Sequence, residues 1–104
     1  MATEGFVVAG PAADLAAGSS TVVTVEKVEV LVANIDGAFY AVENECTHRG
    51  CMLSDGDIDG NEAICPCHGA SFDLRTGAVL GGPAPTPLRL YRTQVVDGMI
   101  EVGV

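Results

Sequence analysis

All four cysteines and both histidines of this 104-residue chain fall between positions 46 and 68. They form two groups, Cys46-Thr47-His48 and Cys65-Pro66-Cys67-His68, with Cys51 shortly after the first. Six soft or borderline ligands gathered in one segment require a chemical reason: metal binding, disulfide formation or nucleophilic catalysis. One residue separates Cys46 from His48, two separate Cys65 from His68, and sixteen lie between the groups. Structural zinc hooks more often use about two to four intervening residues. Unequal Cys/His boxes suit a cluster with two chemically distinct irons, one taking both thiolates and the other both imidazoles. No Ser/His/acid arrangement, phosphate loop or dinucleotide fingerprint accompanies them, so neither hydrolysis nor nucleotide binding finds support.

These groups must be held by a scaffold of short strands. Phe6 to Ala9 reads as a first strand, and Pro11 to Gly18 as a single helical turn opened by proline and closed by glycine. Thr21 to Val25 and Val28 to Ile35 are β-rich runs around a Glu26–Lys27 turn, and Asp36–Gly37 turns the chain into Ala38 to Val42. Regular patterning stops at Glu43. Ile58 and Ile64 around Gly60–Asn61 predict a short hairpin inside the Cys/His segment. Ser71 to Asp73 reads as a strand followed by a Thr76–Gly77 turn, and Gly81-Gly82-Pro83-Ala84-Pro85 as a stiff loop excluded from any central strand. Leu88 to Val96, the Asp97–Gly98 turn and Met99 to Val102 predict a closing hairpin. The expectation is an all-β fold, a small antiparallel sandwich or barrel, with the ligand-rich segment inserted into it.

The length allows one domain, and 48% hydrophobic against 18% charged residues favours a folded one. With no Trp and few aromatics, the core rests on Val, Ile, Leu and Ala. Fourteen acids against five bases give a formal net charge of −9. That charge disfavours nucleic acid and anionic membrane surfaces, and favours a protein partner with a basic docking patch. No stretch approaches the roughly 20 apolar residues of a membrane-spanning helix. The segment from Met1 to Gly18 has Glu4 and Asp14 but no Lys or Arg, unlike a secretory leader, so a cytoplasmic protein is expected.

Cys-Thr-His-Arg-Gly-Cys at 46–51 and Cys-Pro-Cys-His-Gly at 65–69 resemble the two ligand boxes of Rieske proteins. The resemblance extends to Ser71-Phe72-Asp73, Thr76-Gly77 and the Gly/Pro stretch at 81–85, and more weakly to nearly the whole chain. It implies one Rieske domain over 1–104, a β sandwich with a two-loop cluster-binding subdomain at about 43–73 and a covering Pro loop at 81–85. It implies one [2Fe–2S] cluster, with Cys46 and Cys65 on one iron and His48 and His68 on the other. Two neutral imidazoles in place of thiolates make such a site less negative and raise its potential, into a family range of roughly −150 to +300 mV. The function implied is that of a ferredoxin. It would carry one electron from a flavin-dependent NAD(P)H reductase to a terminal oxygenase, an aromatic-ring hydroxylating dioxygenase, without a small-molecule substrate or catalytic residues of its own.

The resemblance also bears on the remaining positions. In high-potential relatives the pair matching Cys51 and Cys67 forms a disulfide between the ligand loops, and the same bond is expected here. Those relatives carry Ser and Tyr hydroxyls where this chain has Ala70 and Phe72, which places its expected potential in the lower part of the range. Glu43, Glu45, Asp55, Asp57, Asp59 and Glu62 surround the boxes as either an acidic docking rim or a solvated loop, with Arg49 the sole base among them. Gly50, Gly56 and Gly69 are read as tight-turn residues, Pro66 as a stiffener of the second box, and Met52 and Leu53 as apolar cover. The rival readings are the small Rieske subunit of an assimilatory nitrite reductase, a structural zinc module for protein interaction, and a disulfide-stapled extracellular domain.

Overall fold

Each β-branched run becomes a strand, and the alternation of its side chains decides which core it feeds. The computed structural model describes residues 4–45, 51–66, 70–81 and 87–103. Among these there is no α-helix, only short 3-10 turns at Ala12–Asp14 and Leu53–Asp55. Eleven strands form three antiparallel sheets. A middle sheet has the order β2-β3-β4-β9, with β2 Ser20–Val25, β3 Val28–Ile35, β4 Ala38–Glu43 and β9 Leu90–Tyr91. An outer sheet has the order β1-β11-β10, with β1 Phe6–Pro11, β10 Thr93–Val96 and β11 Met99–Gly103. A third sheet has the order β5-β6-β7-β8, with β5 Asp57–Asp59, β6 Glu62–Ile64, β7 Ser71–Asp73 and β8 Val79–Gly81.

Strand β3 is buried continuously from Val30 to Asn34. A strand reads this way when both of its faces are covered. Val30 and Val32 join Val25, Ala41, Ile100 and Val102 in one core. Leu31 and Ala33, pointing the other way, join Val42, Leu53, Ala63, Cys65, Ala70, Phe72 and Leu74 in a second. The period of two in a strand thus places the middle sheet between the outer sheet and the third one. This third sheet runs from Asp57 to Gly81 and overlaps the segment read as inserted.

The hairpin turns fall where Asp–Gly and Glu–Lys pairs stand. Asp36, Gly37, Asp97 and Gly98 all have positive φ, as do Glu26 and Lys27, which matches the turn twist that two-residue hairpins need. Buried Asn34 secures the Asp36–Gly37 turn, accepting from Gly37 N–H at 2.8 Å and donating to Leu15 C=O at 2.8 Å.

Two expectations need correction. Leu88 to Val96 is not one strand. Leu90–Tyr91 pairs with β4 in the middle sheet, whereas Thr93–Val96 pairs with β11 in the outer one. The chain changes layers at Arg92, whose guanidinium lies 5.0 Å from the Phe6 ring centroid and whose C=O accepts from Gly103 N–H at 2.8 Å. Gly81, read as part of the stiff loop, instead ends edge strand β8 and pairs with Ser71. An edge position is compatible with the prolines that follow, since an edge strand leaves donors unpaired anyway.

The β7–β8 turn is built around Asp73. Its carboxylate accepts from Arg75 backbone N–H at 2.8 Å and from the Arg75 guanidinium at 3.3 and 3.4 Å. Burial pushes this carboxyl up, but the bonds from Arg75 and Asn61 with the Arg75 charge outweigh that and hold it below its ordinary value of 3.8. A carboxyl lowered on folding stabilises the protein fully above its unfolded value, and the effect is lost as pH falls through the folded value. Asp73→Asn should therefore lower the thermal midpoint at neutral pH, and the gap to wild type should close as pH falls from about 5 towards 3. Melting curves with a constant gap would contradict this.

Candidate metal centre

The second Cys/His box hangs between β6 and β7. Ile64 pairs with Ser71, and one step further Cys65 N–H donates to Ala70 C=O at 2.7 Å. That bond closes the mouth of the loop and fixes Cys65 at its rim. The residue is 1% exposed, among Leu53, Ala63, Ala70 and Phe72.

The first box leaves the end of β4. Glu45 and Met52 form an isolated antiparallel bridge, and Leu53 N–H donates to Asn44 C=O at 2.7 Å. The chain that departs after Glu45 is thus brought back beside its own start. Leu53 then buries in the core that holds Cys65, and half-buried Cys51 packs against the same core. Gly56 sits against Ile64 C=O and Pro66, and a Cβ there would collide with that carbonyl and lie 3.0 Å from Pro66 Cδ. This close approach makes glycine the fitting residue and draws the return of the first loop onto the rim of the second.

The third segment starts from the same end. Gly81 pairs with Ser71, so the chain enters the Pro stretch from beside the exit of the second box. It is recaptured at Leu88, which is buried and donates its N–H to Gly77 C=O at 2.8 Å.

Cys51, Met52, Leu53, Gly56, Cys65, Pro66 and Ala70 are thereby gathered at one end of the third sheet, with Leu53 buried in the core that holds Cys65. Cys46, His48, Arg49, Gly50, Cys67, His68, Gly69, Pro83 and Pro85 lie outside the described residues. Of the acids, Glu45, Asp55, Asp57 and Asp59 are exposed and Glu62 is half-buried. Glu43 has a different task. Its carboxylate accepts from Arg89 N–H at 2.8 Å while its own N–H donates to Arg89 C=O at 3.0 Å, so it staples β4 to the strand returning from the Pro stretch. The sequence reading missed Asn44, which is fully buried beside the first box.

A cysteine at this rim fits a metal cluster. Its surroundings are apolar, and a bare thiolate there would be heavily penalised, whereas a metal ion supplies the compensating positive charge. The model of the Rieske [2Fe-2S] domain matches residues 5–92. The chain belongs to the Rieske family. Its cofactor is accordingly a [2Fe–2S] cluster.

This Rieske chain is 40% identical over 77 residues to the 3-phenylpropionate/cinnamic acid dioxygenase ferredoxin subunit of Photorhabdus laumondii, covering 73% of each protein. It is 38% identical over 94 residues to the cytochrome b6-f complex iron-sulfur subunit of Chlorobaculum thiosulfatiphilum, covering 90% of this chain but 51% of that subunit. It therefore spans about half the length of that relative. A chain in a complex of reduced oxygenase and oxidised ferredoxin of carbazole 1,9a-dioxygenase superposes with a TM-score of 0.91 at 30% identity, covering 97% of this chain and 94% of that one. Among the described residues no helix is long and apolar enough to cross a membrane.

The contact at Gly56 gives a direct test of the converging loops. Gly56→Ala should leave the strand signal in circular dichroism while lowering iron per protein about ten-fold, because the second loop is pushed off its support. Full iron occupancy in G56A would contradict the convergence.

Proposed function

We propose that this Rieske protein is a one-electron carrier, a ferredoxin that takes electrons from a flavin-dependent NAD(P)H reductase and delivers them to a terminal oxygenase of the aromatic-ring hydroxylating kind. The observation that carries the reading is the near-complete, two-way overlap with a chain of an oxygenase–ferredoxin complex. The relative named as a dioxygenase ferredoxin subunit points the same way. The role is that of a carrier within a multicomponent system, not of an enzyme, and it is exercised in the cytoplasm.

Cys46 and Cys65 hold one iron and His48 and His68 the other, within a single domain over 1–104 whose cluster-binding subdomain covers about 43–73 with the Pro loop at 81–85. The cluster supplies one reversible electron at nearly constant geometry. What the chain contributes is enclosure. Cys65 is fixed by its bond to Ala70, and Leu53, Ala63 and Phe72 keep water from its sulfur. Ala70 and Phe72 are fully buried and carry no hydroxyl, so neither donates to a sulfur, in keeping with a potential low in the family range. The exposed acids Glu45, Asp55, Asp57 and Asp59 form the docking rim for a basic partner surface.

Cys51 and Cys67 form a disulfide between the ligand loops. In support, Cys51 is half-buried and packs beside the core that holds Cys65. The bond would close a loop of about fifteen residues, worth roughly 3 kcal/mol in the chain-entropy model.

Two measurements test these assignments. Reconstituted protein should contain iron and acid-labile sulfide and give the reduced-state paramagnetic signal, and His48→Ala or His68→Ala should abolish its optical bands. A colourless, silent, zinc-containing product would overturn the reading. After cluster removal under denaturing, non-reducing conditions, two of the four cysteines should react as thiols. Four reactive thiols would exclude the disulfide.

A further inference from the structure

Asn44 is 0% exposed and every polar group it has at this junction is used. Its backbone N–H donates to Glu29 C=O at 2.9 Å, and its backbone C=O accepts from Leu53 N–H at 2.7 Å. The side-chain oxygen accepts from Ser54 N–H at 2.9 Å. The side-chain NH2 donates to Ser54 Oγ at 3.0 Å and to Glu29 Oε1 at 3.2 Å. One residue therefore ties three pieces of chain together: the start of β3, the end of β4 and the 3-10 turn at Leu53–Asp55. The segment from Glu45 to Met52 is the loop whose two ends this knot joins.

Among the described residues the same two ends also meet in the Glu45–Met52 bridge. Beyond the knot, Ser54 is followed by Gly56 against Pro66, and is preceded by Leu53 in the core of Cys65. A displacement at Ser54 is thus carried to both ligand loops.

We infer that Asn44 is the positioning residue of the cluster site, holding the first ligand loop closed and in register with Cys65 through Ser54. This rests on the ligand assignment above. Only an amide of this length serves: it must accept from Ser54 N–H on one side and donate to Ser54 Oγ and Glu29 on the other. Alanine would remove the acceptor of Ser54 N–H and both side-chain donors, and a carboxylate would face Glu29 with like charge.

Asn34 supplies a matched control. It is also a buried asparagine, with two side-chain hydrogen bonds against the three of Asn44, but it serves the Asp36–Gly37 turn at the opposite end of the hairpin. Its partner Phe39 lies five residues along the chain from Asn44, about 17 Å at strand spacing. In holoprotein challenged with a chelator, bleaching of the visible bands should be about ten-fold faster in Asn44→Ala than in wild type, and near the wild-type rate in Asn34→Ala. Both variants should lower the apoprotein melting midpoint. The reduced-state g-values should shift in Asn44→Ala only.

Ser54→Ala, which keeps the backbone donor, should bleach at an intermediate rate and serves if Asn44→Ala does not fold. The Asn44→Ala/Ser54→Ala double variant should be no worse than Asn44→Ala alone, since both remove the same knot. Equal bleaching in Asn44→Ala and Asn34→Ala, or Ser54→Ala at the wild-type rate, overturns the inference while leaving the electron-carrier reading intact. A wild-type protein that binds no iron overturns that reading first, and this inference with it.

Discussion

A single apolar core joins the body of this protein to its chemistry. Leu31, Ala33 and Val42 of the middle sheet meet Leu53, Cys65, Ala70 and Phe72 of the inserted segment. The sulfur assigned to iron is thus itself a member of the core. Folding the third sheet onto the middle one and shaping the metal pocket are one packing event. Protein interiors are dense and transmit strain, so a core that is well filled also fixes where the sulfur sits. Asn44, Gly56, Ser71 and Leu88 hold the chain on either side of the ligand-bearing segments.

What could be read from the chain was mostly local. Asp36–Gly37 and Asp97–Gly98 announce hairpins because their backbone twist is encoded within two residues. Cys/His spacing speaks for itself because the ligand chemistry is scarce. The misreadings all concern partners that no local pattern reveals. Alternation through Leu90 to Val96 looks the same whether the strand stays in one sheet or changes layer at Arg92. Val79-Leu80-Gly81 is too short to show a pattern, and it is a strand only because β7 lies beside it. Glu43 looked like one more surface acid, yet its carboxylate serves a backbone 46 residues away. Asn44 was overlooked because its value depends on Glu29 and Ser54, which no spacing rule connects.

Charge and burial divide the work at the site. The interior around Cys65 is apolar, so an ionised sulfur there would need a metal's compensating charge. The exterior carries Glu45, Asp55, Asp57 and Asp59 exposed on strands and turns that the core holds rigid. Acids mounted on fixed backbone present a constant field to an approaching protein. In the proposed docking role, their contribution would fall on encounter and orientation more than on strength of adhesion.

The outer sheet has a kinetic corollary. Phe6 pairs with Gly103 and Val7 with Val102, so β1 finds its neighbour only in β11, after every other strand of the fold has been made. The third sheet, by contrast, is assembled from residues 57–81, each strand beside its successor. Loop-closure entropy is small for the latter and large for the former. On a ribosome, the third sheet has all its strands before β11 emerges, and β1 waits unpaired until then.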